Sequence, residues 1–249
     1  MNQIPLLTVD SRLALGYGSA WHLLRMLGWH REWFGHQVKT AIGASDVQWL
    51  DFRSGRQAQS YSGGVPIREG EWKRLDFISD DTLQKKLDLY WPTKGSSQNW
   101  DAIGRATISG EATWLLVEAK AHLAEVSRSG TTAKESGGRP LIRKAFLDTL
   151  RELGHGDTEA TSLADVWLQG FYQHANRLAA LQFLQREGVP ARLIHVYFCG
   201  DQHPTSKQCP STPEQWQPLL REIHDELGLT GQSALEKRVH EIFVNVDAA

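Results

Sequence analysis

The stretch Trp114-Leu115-Leu116-Val117-Glu118-Ala119-Lys120-Ala121-His122 constrains this chain more than any other. Its apolar start reads as a buried strand, and strand side chains alternate between faces with period two. Trp114, Leu116, Glu118, Lys120 and His122 therefore share one face, and Leu115, Val117, Ala119 and Ala121 the other. A carboxylate and an ammonium thus lie side by side at the open end of a buried strand. Buried charges are costly unless they are paired or bind a metal. A tight ion pair or a metal site is the reading for this end.

The rest of the chain sets that strand in a mixed α/β pattern. After Gly16-Tyr17-Gly18, apolar residues Trp21, Leu24 and Leu27 recur at helical spacing, with Ser19 as the candidate N-cap. Residues 47–52 alternate as a strand, 53–70 read as a loop or weak hairpin, and 80–90 as a short helix stopped by Trp91-Pro92. A turn-rich loop at 94–99 leads into a strand at 100–108. A turn at Ser109-Gly110-Glu111 joins it to the strand 112–121. Helices are predicted at 141–153 and 163–187, the second ended by Val189-Pro190, and a buried strand at 191–199. A loop over 201–214, helices at 214–227 and 233–240, and a strand at 242–246 complete the pattern. Long helices between the two buried strands predict a parallel crossover.

With 249 residues and 41% hydrophobic content, the chain can bury a core without disulfides or structural metal. No internal repeat or long linker divides it, so residues 1–249 are expected to form a single domain. Its core would span about 12–200, with a C-terminal helical and strand extension over 201–249. The net charge of −2 supplies no global field to hold nucleic acid. Two cysteines, Cys199 and Cys209, imply no disulfide framework and fit a reducing cytoplasm. No signal-peptide pattern or membrane-length apolar run is seen, so a cytoplasmic protein with no membrane partner is expected. Cys199, His203 and Cys209 are zinc-ligand types, but their spacing is irregular and a fourth ligand is missing. Gly16 and Gly18 lack the Lys-Ser/Thr of a phosphate loop and read as a helix start.

The chemistry concentrates on Asp101, seventeen residues before Glu118. Pairing about the 109–111 turn places residue 101 roughly opposite residue 119. Two carboxylates and a lysine then converge at one end of the sheet. Hard oxygen ligands of this kind suit Mg²⁺, which takes one or two carboxylates, waters and a substrate phosphate. Such an ion lowers the pKa of a bound water and stabilises charge on a phosphodiester, while Lys120 can orient that water or meet the developing charge. A strand-end salt bridge is the simpler structural alternative.

Asp101 followed by Glu118-x-Lys120 on an apolar strand, in the order α-β-β-β-α-β, resembles the PD-(D/E)XK, or restriction-endonuclease-like, nuclease superfamily over roughly residues 12–200. The resemblance implies an α/β fold with a mixed central sheet flanked by helices, and metal-dependent hydrolysis of DNA phosphodiesters. It implies Asp101 and Glu118 as ligands of Mg²⁺ (or Mn²⁺), the Ala119 carbonyl as a further ligand, and Lys120 as the catalytic lysine. DNA is the implied partner; its form, endo- or exonucleolytic action and a homodimeric state stay open. Trp100 stands where the family often has proline. Members often carry a glutamate on the first core helix, where Ser19–Gly28 has none, leaving Glu32 and Glu71 as candidates. The alternative function is a non-catalytic interaction or scaffold protein that keeps this fold.

Gln173 and Arg177 are i,i+4 neighbours on the helix after the Glu-x-Lys strand, and are read as contacts to substrate phosphate or as a satisfied polar face. Arg128, Lys134, Arg139, Arg143 and Lys144 stand against one acid, Glu135, and form the best local patch for a phosphate backbone; the alternative is a solvated loop. His122 shares the Lys120 face and is read either as a substrate contact or as a strand-end histidine.

Overall fold

The computed structural model describes residues 16–51, 72–95, 98–126, 128–203 and 207–247. Helices α1 (Ser19–Gly28) and α2 (Arg31–Ile42) precede strand β1 (Asp46–Trp49). A short β2 (Trp72–Lys73) and α3 (Asp81–Tyr90) lead to β3 (Asn99–Trp100), β4 (Ala102–Ile108) and β5 (Glu111–Lys120). Helices α4 (Arg139–Glu152), α5 (Asp157–Gln169) and α6 (Tyr172–Arg186) cross to β6 (Ala191–Cys199), and α7 (Pro213–Leu227) to β7 (Val239–Asn245). The order is mixed α/β: a five-stranded sheet β1-β4-β5-β6-β7, with β2 and β3 forming a separate two-stranded pair. The hairpin strands and β1 run antiparallel, whereas β5, β6 and β7 are parallel. The predicted crossover between the two buried strands is therefore present.

Two apolar layers sandwich this sheet. Leu23, Met26 and Leu27 of α1, with Phe34, Val38 and Ile42 of α2, recur at helical spacing and cover Leu115, Val117, Ala119 and Ala121 of β5. Leu116 of β5 and Leu193 and Tyr197 of β6 face the other layer, built by α3 to α7. Covered on both faces, β5 and β6 read as nearly continuous apolar runs. At about 25 cal/mol per Å² of apolar surface removed from water, this double layer dominates the stabilisation of the fold.

The hairpin turn contains two residues, not three. Ser109 and Gly110 both have positive φ, 51° and 83°, as a type I′ turn requires, and Ile108 pairs with Glu111. The register runs Ala102 with Val117, which puts Asp101 across from Glu118 and not from Ala119. A one-residue shift exchanges faces. The tighter turn shifts the pairing of β4 with β5 by one residue, and Asp101 lies at the bend just before that ladder begins.

Five further expectations need correction. The strand read over 100–108 is interrupted: Trp100 pairs with Trp72 in the small sheet, and Asp101 sits at the bend before β4. The helix read over 163–187 is two helices, α5 and α6, separated by extended Gly170 and by Phe171, which is buried with a left-handed φ of 46°. The helix expected over 233–240 is a single 3-10 turn, Glu236–Arg238, and β7 begins at Val239. Ser19 is the first residue of α1, and its cap position is Gly18 at φ 87°. The segment expected as an extension instead supplies β7 to the sheet and Trp216, Leu220, Ile223 and Leu227 of α7 to the core. Among the described residues, no helix is long and apolar enough to cross a membrane.

Candidate functional site

Asp101 is anchored by its backbone. Its N–H donates to the Val117 carbonyl at 3.0 Å, and its Oδ2 accepts the Ala119 N–H at 2.7 Å. The carboxyl group is thereby folded over the end of β5. In an extended strand, the N–H and C=O of one residue point to the same edge, so the Ala119 carbonyl also faces the Asp101 side.

Glu118 and Lys120 project from the other side of the strand backbone toward α6. Glu118 Oε1 accepts from Lys120 Nζ at 2.6 Å, and Oε2 from Arg177 Nε at 2.9 Å and Nη2 at 2.8 Å. Lys120 Nζ also donates to Gln173 Oε1 at 3.0 Å. Gln173 and Arg177 lie one helical turn apart on α6, so a single helix supplies a partner to each member of the Glu-x-Lys pair. The Arg177 guanidinium lies 5.0 Å from the Trp100 ring centroid and donates to Asn176 Oδ1 at 2.6 Å. Trp100 therefore lies as an apolar roof over this ion pair, with its own indole N–H bonded to the Arg74 carbonyl at 2.7 Å. Glu118, Lys120 and Arg177 are buried, while Asp101 and Gln173 keep partial exposure at the mouth.

The two carboxyls are held in opposite states. Burial, then the negative charge of Glu118, pushes the Asp101 pKa up to about 8. Burial acts upward on Glu118 as well, but Arg177 and Lys120 outweigh it and bring its pKa down to about 2. At neutral pH the site therefore holds a protonated Asp101 and an ionised Glu118. His195 of β6 lies beside Glu118 in register and stacks on His174 with ring centroids 4.6 Å apart. Burial lowers both imidazoles, His195 to about 4, so both are neutral. Sequence reading missed this pair, although a histidine within the apolar run Leu193–Cys199 was its signal.

These residues have the composition that Mg²⁺ takes, which is one or two carboxylates with a carbonyl and waters. Asp101 fits best: it is partly exposed, burial and then the Glu118 carboxylate raise its pKa so that a cation would favour its ionised form, and the Ala119 carbonyl faces the same edge. Glu118 fits once Lys120 or Arg177 releases one of its oxygens. Among the described residues, no three His, Cys, Asp or Glu side chains form a metal-holding group.

The other expected contacts lie elsewhere. His122 follows the end of β5, and its Nε2 is 3.5 Å from Glu125 Oε1 and 3.4 Å from Lys207 Nζ. Four cations of the basic segment are matched by acids: Arg128 by Glu222 and Glu226, Arg139 by Glu135, Arg143 by Asp165 and Lys144 by Asp148. Lys134 is exposed with no ion pair among the described residues. Much of the charge read as a phosphate patch is thus already answered within the fold. Glu32 is exposed in the first turn of α2 and lines a cleft of about 540 Å³ with His36, Lys39 and Asp46. Glu71 lies outside the described residues. Cys199 packs in the core, while Cys209 Sγ points to Asp201 at 3.7 Å.

A second polar group, absent from the sequence reading, ties α1 to the strand ends. Asp201 accepts from the Gly18 N–H at 3.2 Å and lies 2.8 Å from His22 Nε2. Glu125 accepts from Ser19 Oγ at 3.0 Å and from the Ala121 N–H at 2.5 Å. These carboxylates cap a helix whose cap residue, Gly18, has no side chain to do so. No family model, curated protein or solved structure matches the chain.

Proposed function

We propose that this chain is a metal-dependent nuclease of the restriction-endonuclease-like type, hydrolysing phosphodiester bonds of DNA. One observation carries the reading: the Asp101 carboxyl meets the Ala119 N–H at the open end of the hairpin, between Glu118 and Lys120 along β5, with Lys120 bonded to Glu118 and to Gln173 of α6. The antiparallel hairpin followed by a helical crossover to a parallel strand also supports it, being the element order of that family.

In this reading Asp101, Glu118 and the Ala119 carbonyl hold Mg²⁺ or Mn²⁺, which when bound supplies an acidified water and a positive charge at the phosphate. Asp101 would hold the ion in its ionised form, its proton passing to solvent at the partly exposed mouth. Lys120, which Gln173 orients, would supply a positive charge toward the phosphate. Arg177 keeps Glu118 ionised and fixes its rotamer from beneath. The test is cleavage of single-stranded, duplex and branched DNA in Mg²⁺ or Mn²⁺, with Lys120→Ala as control. Cleavage by the wild type, reduced at least about a hundredfold in the variant, is the expected result; equal activity in both overturns the assignment.

A second reading, a non-catalytic protein that keeps this arrangement as a structural ion-pair network, is favoured by the charge balance. Glu118 is met on both oxygens, and Asp101 is neutral, without any metal. Absence of cleavage, together with no metal binding by calorimetry, selects it.

A further inference from the structure

At the opposite end of the parallel strands two arginines and a histidine gather with no ion pair among the described residues. The register sets Leu193 against Val239 and Ile194 against His240, so Arg192 and Arg238 are neighbours one step earlier. Arg192 continues the Ile194 and Val196 side of β6, and His240 the Ile242 and Val244 side of β7. Both therefore belong to the face that α1 and α2 cover. Arg192, Arg238 and His240 are each half-buried.

The buried atoms are unsatisfied. Arg192 Nε and His240 Nε2 are shielded from solvent and have no hydrogen-bond partner among the described residues. None of the three side chains forms an ion pair there. Glu111, the exposed first residue of β5, lends Arg192 a negative charge from a distance. Burial, and then Arg238, depress the pKa of Arg192, while burial and Arg192 depress that of His240, so the group is crowded with like charge. Leaving buried donors empty is costly, and a buried charge is retained when it is paired.

We propose that Arg192, Arg238 and His240 form a binding site for a phosphate group. Two guanidinium forks and an imidazole match the geometry and charge of a tetrahedral oxyanion better than those of a halide. The site stands about 16 Å along the strand from Lys120, five residues at the usual rise, and on the other face of the sheet. It is separate from the carboxylate site and does not depend on the nuclease reading. The phosphate can be free inorganic phosphate or one unit of a nucleic-acid backbone.

Calorimetric titration of the whole chain with inorganic phosphate, against sodium chloride at matched ionic strength, tests this. Binding by the wild type that falls at least about tenfold in Arg238→Gln and in Arg192→Gln is expected. Arg238 lies in a partly exposed 3-10 turn, so its variant remains informative even if Arg192→Gln fails to fold. A phosphodiester oligonucleotide without a 5′-phosphate identifies the source. Displacement of phosphate assigns the site to a backbone, and no displacement assigns it to the free ion. Absence of phosphate binding, or binding undiminished in both folded variants, overturns the proposal.

Discussion

At the carboxyl end of β5, Glu118, Lys120 and Arg177 answer one another beside Asp101. At the amino end of β6, two guanidinium groups and an imidazole are gathered with no ion pair among the described residues. The first end has a Glu-x-Lys pair, a partner helix and an aromatic roof, and its charges close on themselves. The second has the same parallel strands beneath it but no acid within ion-pair reach. The difference teaches what to read from buried charge. A closed network is first a structural device, and becomes a chemical site only where a member such as Asp101 stays partly open to solvent and holds its proton at neutral pH. A group unanswered among the described residues is read instead for what it can bind.

The sharpest way to break this contrast is to remove the hub of the closed network. Glu118→Ala leaves Lys120 and Arg177 buried without their carboxylate. Removing one partner of a buried pair costs about 3–5 kcal/mol. Asp101, relieved of its anionic neighbour, ionises more readily and offsets part of this, so a loss of about 3 kcal/mol is expected in urea unfolding. A loss below about 1 kcal/mol would show that the network is solvated and that the two ends do not differ in kind.

The strands β5 and β6, the crossover and the helix stopped at Tyr90 were legible because each rests on a local signal: an apolar run, a Pro, a turn pair. The carboxylate site was legible for the same reason, since Glu118 and Lys120 share one strand. Its register was not, because a three-residue and a two-residue turn at Ser109-Gly110 differ only in backbone dihedrals. Arg177 was legible as a helix neighbour of Gln173, but not as the partner of Glu118, since that contact joins positions 59 apart. The break at Phe171 was hidden by the helix-forming residues on both sides of Gly170. Arg192, Arg238 and His240 were invisible for a different reason: only the pairing of β6 with β7 makes them neighbours. The apparent basic patch misled because its matching acids Glu222, Glu226 and Asp165 lie on other helices.

A second test follows the proton on Asp101. An acid whose folded pKa, about 8, lies above its ordinary 3.8 holds its proton in the folded state and loses it in the unfolded state across that window. The stability it influences therefore declines as pH rises, by at most about 1.4 kcal/mol per pH unit, and the decline ends above pH 8. His195 and His174 act with the opposite sign, because their lowered pKa values leave them neutral while the unfolded imidazoles gain protons below 6.5. From pH 7 to 8 the lowered imidazoles no longer contribute, whereas His224, raised by its bond to Glu241, acts with the same sign as Asp101, so the comparison with Asp101→Asn isolates Asp101. Urea unfolding there is expected to show a falling midpoint for the wild type and a flatter one for Asp101→Asn. Identical slopes would mean that Asp101 is already ionised at pH 7, which removes the protonated acid that singles out its end of the sheet.

The smallest effect belongs to the unanswered end, and its sign matters more than its size. Arg192→Met keeps the aliphatic length that lies along the sheet, removes the shielded Nε donor and relieves repulsion with Arg238 and His240. Replacing an unpaired buried charge by an apolar side chain of similar volume is neutral or stabilising, here by about 1 kcal/mol in phosphate-free buffer. Adding phosphate is expected to reverse the order, because only the wild type gains from an anion that binds the folded state. Thermal unfolding of both proteins with and without phosphate reads the sign directly. Clear destabilisation of the variant in phosphate-free buffer would mean that Arg192 is answered within the chain after all, and the two ends of the strands would then follow one rule.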